Sequence, residues 1–222
     1  MEVGARAVRG RGFSMIEILV VLGIVGLLLG LALPKLTDVM GGTGLSRAAD
    51  VVRGEINAAR QVAATSNRAV VVRFFRFADP MVPRGESQFR AVQYGHGEDP
   101  EQRGGAGDVF EPVGQLRRFA DGVVALPSGP YSTVLSDPPA RERPVDIPTP
   151  GGRPGERMAA MAVAMRVFPD GSTDLDASAR EAWCVTLVNA RDAGGAGVGL
   201  PADFVTLQVD PYTTQVREYR RQ

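Results

Sequence analysis

The sequence predicts an α+β protein: a long N-terminal hydrophobic helix followed by a mostly antiparallel β-sheet domain. Three observations carry that expectation. Phe13 to Pro34 is almost wholly apolar, and no polar side chain interrupts Ile18 to Leu33. Leu45, Ala48, Ala49, Val52, Ile56, Ala59 and Ala63 then recur at three- and four-residue spacing, the period of an amphipathic helix. From Ala69 onward, short runs rich in Val, Ile and Phe alternate with Gly, Pro and Asp turns.

Each element has a local reason. Residues 1–12 hold Arg6, Arg9 and Arg11 against one acid, Glu2, and form a basic leader. Phe13 to Leu33 makes about 31 Å of helix, close to the ~30 Å hydrocarbon core of a bilayer. With the basic flank before it, residues 13–34 are expected to be a single-pass transmembrane and assembly helix, with the N-terminus cytoplasmic and the rest of the chain across the bacterial inner membrane. A small-residue signal-peptidase site is lacking at Leu31-Ala32-Leu33-Pro34. Pro34 removes a helical hydrogen bond and is expected to kink the helix. Residues 35–67 read as an exposed amphipathic helix hinged at Gly41-Gly42-Thr43-Gly44, where each glycine costs about 1 kcal/mol relative to alanine. Arg47, Asp50, Arg53, Glu55 and Arg60 lie off its apolar stripe, and Asn67 is the expected stop.

Residues 68–222 are read as one β-rich globular domain. Its expected strands are Ala69–Phe77, Gln88–Tyr94, Gln115–Phe119, Gly122–Leu126, Ala160–Phe168, Ala182–Asn189, Phe204–Val209 and Gln215–Tyr219. Pro169-Asp170-Gly171-Ser172 and Asp210-Pro211-Tyr212-Thr213 are expected turns. Gly95–Gly114 and the Pro-rich Ser136–Gly155 read as exposed, mobile loops.

Glu17 is the anomaly of the apolar segment. A carboxylate costs ~2.5–3.5 kcal/mol at a bilayer centre and less at its edge, so an acid there asks for a cation. Cleavage after Gly12 would give Phe13 a free α-amine four residues away. Arg11-Gly12-Phe13-Ser14-Met15-Ile16-Glu17 resembles the cleavage and methylation motif of type IV prepilins and type II secretion pseudopilins. The resemblance implies a pilin-like fold, cutting between Gly12 and Phe13 by a prepilin peptidase, and N-methylation of Phe13. It also implies that Glu17 pairs with the Phe13 amine of an adjacent subunit during assembly. The implied partners are the peptidase, other pilin or pseudopilin subunits, an inner-membrane assembly platform and membrane lipid. Ala59-Arg60, Ala63-Ala64 and Asn67, the Asp-Gly turn and the final Asp-Pro turn resemble the minor GspH/FimT-like group. A prepilin-type cassette protein of the Verru_Chthon cassette protein D kind fits as well.

The implied function is that of a pseudopilin in a short pilus-like filament or its tip, serving protein secretion. The alternative is a minor type IV pilin that binds DNA through Arg217, Arg220 and Arg221, since arginine attracts phosphate. Against nucleic acid as a general partner stands the charge balance, with 25 Lys plus Arg and 25 Asp plus Glu. No enzyme and no cofactor is expected. One cysteine, Cys184, and one histidine, His96, build neither a disulfide nor a Cys/His zinc site. Cys184 reads as a small buried hydrophobe and His96 as a solvated loop residue. Asp170, Asp174 and Asp176 lack the glycine and terminal glutamate of a calcium loop.

Overall fold

A computed structural model describes residues 14–80, 85–97, 110–127, 131–136, 142–193 and 199–220, and of residues 29–42 the helical backbone alone. Two compact units divide between Gly41 and Gly42. The leader, with Gly12 and Phe13, lies outside the described residues, as do Arg221 and the side chain of Pro34.

Helix α1 covers Met15–Ser66. It opens at Ser14, whose carbonyl accepts from the Glu17 N–H at 3.0 Å and the Ile18 N–H at 3.2 Å. It stops where expected, at Asn67, which takes the left-handed conformation (φ 50°) that asparagine tolerates at a helix C-terminus. In the second unit, the stripe Leu45, Ala48, Ala49, Val52, Ile56, Ala59 and Ala63 is buried throughout. Four of those seven residues are alanine, so the helix backbone can lie close to the sheet beneath it.

That sheet has ten strands, every pairing antiparallel. The strands are β1 (Val70–Ala78), β2 (Ser87–Gly97), β3 (Phe110–Pro112), β4 (Arg117–Arg118), β5 (Val123–Ala125), β6 (Arg143–Pro148), β7 (Arg157–Val167), β8 (Cys184–Asn189), β9 (Phe204–Val209) and β10 (Val216–Arg220). Two single-turn helices complete the described elements: α2 (Thr133–Ser136) follows β5 and α3 (Ala190–Ala193) follows β8. The spatial order is β10-β9-β8-β5-β2-β1-β7-β6, with β3 and β4 also paired to β2.

Alternation along β1 assigns the two faces. Val70, Val72 and Phe74 join the α1 stripe, together with Phe89, Val92, Met165, Leu187 and Leu207. Phe75 and Phe77 meet Ala91, Ile147, Ala160 and Ala162 in a second, smaller cluster. Phe75 pairs with Ala91 and Arg76 with Phe89, so Arg90 is the extra residue of a β-bulge.

The expected architecture and location need correction. The fold class anticipated a long N-terminal hydrophobic helix of the pilin-like kind; the structure is dominated by the ten-stranded antiparallel sheet, and α1 is not a long apolar helix. Its sequence includes Lys35, Asp38, Arg47, Asp50, Arg53, Glu55 and Arg60, and its C-terminal half belongs to the globular core. Among the described residues no helix is long and apolar enough to cross a membrane. The transmembrane-helix and membrane assignments, and with them the single-pass inner-membrane location, are therefore withdrawn.

Both expected loops contain strands. Gly95-His96-Gly97 finishes β2, Phe110–Pro112 forms β3, and the Pro-rich stretch contains β6. Proline misled there because β6 is an edge strand, where a missing N–H disturbs no ladder on the open side. Glycine misled at Gly95 because it marks a close approach. A Cβ there would sit 2.3 Å from the Glu111 carbonyl oxygen and 2.8 Å from the Phe110 ring. Expected strand Gln115–Phe119 shrinks to the two residues of β4, while the Phe119 N–H reaches the bulged Arg90 carbonyl at 2.8 Å.

Candidate functional site

The N-terminal segment of α1 carries a continuous run of exposed apolar side chains. Every described side chain from Ser14 to Leu28 is exposed, and its large hydrophobics range from 44% exposed at Val25 to 82% at Met15. Exposed apolar surface of this continuity marks an interaction site. Gly23 and Gly26 lie within it, and a Cβ at either would meet nothing within 4 Å. Glycine inside a helix costs about 1 kcal/mol relative to alanine, and among the described residues no close packing repays that at either position.

Glu17 sits in the first turn of α1, three residues after Ser14. Ser14-Met15-Ile16-Glu17 has the S-x-x-E spacing of a capping box, and a carboxylate in the first turn faces the positive end of the helix dipole. The helix terminus thus offers Glu17 a local source of positive potential, which the sequence reading sought only in the Phe13 amine.

Arg217 and Arg220, the two described members of the C-terminal arginine group, do not form one patch. On β10, Arg220 donates to Glu218 and, at 2.8 Å, to Ser46 Oγ of α1. Glu218 also receives Arg53 of α1. Arg217 is exposed and, by strand alternation, lies on the opposite face from Glu218 and Arg220.

The other sequence candidates find structural places. Cys184 is buried, and its N–H donates to Thr133 Oγ1 at 2.8 Å. His96 is half-buried on β2 between Val70 and Glu111 rather than solvated in a loop, and its Nδ1 is buried without a hydrogen-bond partner among the described residues. Asp170 accepts from the Ser172 N–H at 2.9 Å and its hydroxyl at 2.7 Å, and Asp176 does the same for Ser178 at 2.8 and 2.7 Å. These bonds hold both carboxyls below their ordinary value. Asp174 accepts from the Arg166 N–H at 2.8 Å, so the three acids serve separate turns. Among the described residues no group of three or more His, Cys, Asp or Glu is placed to hold a metal.

Two features escaped the sequence reading. Glu55, grouped there with the polar positions, is half-buried, with Oε2 enclosed and lacking a hydrogen-bond partner among the described residues. Its spacing held the clue: three residues after Val52 and four before Ala59, it shares their side of α1. Burial raises its carboxyl above the ordinary value, opposed by the charge of Arg117 on β4 and by the Tyr94 N–H. The second feature is a pair of arginines, Arg90 and Arg118, converging on Asp79. No local sequence signal marks it, because the β-bulge brings these residues together.

A raised folded-state value means that the native state holds the proton more tightly than the unfolded chain does. The stabilising contribution of Glu55 is then complete below its unfolded value, near 4.5, and is lost as pH rises through the folded one. Glu55→Gln is accordingly expected to be more stable than wild type at pH 7, with the gain shrinking as pH falls towards 4.5. Urea unfolding at both pH values measures this; an equal gain at the two would rule out titration of Glu55.

Comparison with protein-family models, with curated proteins and with solved structures finds no match to this chain.

Proposed function

We propose that the chain is a prepilin-type subunit of the pseudopilin kind, cut after Gly12, N-methylated at Phe13 and assembled into a short pilus-like filament or its tip for protein secretion. The observation that carries this is the exposed apolar face from Met15 to Leu28, directly after the Gly12-Phe13 motif. Such a surface in a single copy is satisfied when several copies pack their helices together. Gly23 and Gly26 suit that role, since small residues let helix backbones approach closely. The second unit, with its own buried core, would then be the body that each copy carries to the filament surface.

In this assembly Glu17 has two electropositive partners: its own helix terminus and the methylated Phe13 amine of a neighbour. Only the second depends on a second copy. Glu17→Val is therefore expected to leave the individual protein folded while lowering its incorporation into filaments. Prepilin peptidase and sister subunits are the partners this reading requires.

Mass spectrometry of the protein recovered from its assembly is the decisive test, with N-methyl-Phe13 as the expected first residue. A mature chain that retains residues 1–12, or that begins elsewhere, would defeat the proposal. The DNA-binding alternative gains no support from the separated positions of Arg217 and Arg220.

A further inference from the structure

The β-bulge at Arg90 creates a charge arrangement that the assembly reading does not use. Arg90 of β2 reaches Asp79 Oδ2 through NH1 at 3.5 Å and donates to Gln88 Oε1 through NH2 at 2.9 Å. Arg118 of β4 approaches the same Asp79 oxygen at 3.7 Å. Two guanidinium groups thus share one carboxylate, and neither approach to Asp79 has the short bidentate geometry of a strong arginine–carboxylate pair.

The members of the group are unequally buried. The Arg90 side chain is only 11% exposed and that of Arg118 is 33% exposed. Arg90 Nε is buried and has no hydrogen-bond partner among the described residues. Burial lowers the Arg90 value; Asp79 opposes that shift and the neighbouring charge of Arg118 adds to it. Cationic repulsion in a half-buried place is costly, and a second anion would relieve it.

We infer that Arg90, Arg118 and Gln88 form an oxyanion-binding site, taking a carboxylate or phosphate group beside Asp79. The incoming oxygens would accept from the guanidinium donors that Asp79 and Gln88 leave unused, and Gln88 can offer its amide N–H. Asp79 holds the two arginines in place and competes with the ligand for their charge. That competition separates a binding site from a clamp between strands. In a clamp, removing Asp79 only destabilises; in a binding site, it also tightens the hold on an anion.

The test titrates inorganic phosphate, and separately acetate, into the full chain by calorimetry at constant ionic strength set with chloride. Saturable binding of either probe is expected, and the stronger probe identifies which oxyanion the site favours. Arg118→Gln, at a partly exposed position, is expected to weaken the stronger probe at least about fivefold, the loss of one charge-assisted contact. Asp79→Asn is expected to tighten it. Arg153→Gln, at an exposed position on the β6–β7 turn, should change nothing. Absence of saturable binding by both probes would overturn the inference. So would equal affinity in Arg118→Gln, or weaker binding in an Asp79→Asn protein that unfolds at the wild-type temperature.

Discussion

Phe74→Ala is expected to destabilise the second unit by about 3–5 kcal/mol, the usual cost of emptying a core phenylalanine site. Phe74 is fully buried at the middle of β1, where it pairs with Val92 of β2 on one side and Val163 of β7 on the other. It belongs to the cluster that joins the α1 stripe to the sheet. The residues around it are poorly able to collapse into the space it leaves. Its strand neighbours are held by ladder hydrogen bonds on both sides, and the stripe above consists largely of short alanines without rotamers to swing inward. Denaturant unfolding followed by tryptophan emission reports the change, since Trp183 packs against the same cluster. A loss below about 1 kcal/mol would mean that the helix and sheet do not share one core.

The same cluster explains which parts of the fold could be read from the sequence. Periodicity found the α1 stripe because every one of its seven positions answers to one buried surface. It found β9 to the residue, and β1 and β5 within one or two at either end, because Val- and Phe-rich runs bounded by turns have few other uses. Asn67 and Gly171 were legible as a helix stop and a turn because both need positive φ, at 50° and 85°. β3 and β6 were not legible. Their proline and glycine signals are those of loops, and only neighbours distant in sequence make them strands: Phe110 and Glu111 against Gly95, Ile147 against the cluster around Phe75 and Phe77.

The candidate sites divide in the same way. Glu17 and the Gly12-Phe13 pair stand out in one dimension, because an acid in an apolar run breaks a pattern. The Asp79, Arg90, Arg118 group spans forty residues and depends on a bulge that no local rule announces. Membrane length was misjudged for a related reason. Hydropathy treats an apolar run by itself, whereas the helix that contains this run continues to Ser66 and buries its later residues in a protein core.

Leu22→Asp is expected to abolish assembly while leaving the separate chain folded. Leu22 is 61% exposed in the single chain and lies in the first unit, so its replacement should change the unfolding free energy of the second unit by less than about 0.5 kcal/mol. In an assembly built by helix packing the same position becomes buried. An unpaired carboxylate there costs about 3–5 kcal/mol, which corresponds to association weakened more than about a hundredfold. Leu22→Met retains an apolar side chain of similar volume and should assemble as wild type does. Sedimentation of the full-length mature protein, compared across the three forms, separates packing from folding: all three should unfold alike, and the aspartate form alone should remain dispersed. Wild-type sedimentation by Leu22→Asp would show that the exposed apolar face is not the assembly surface.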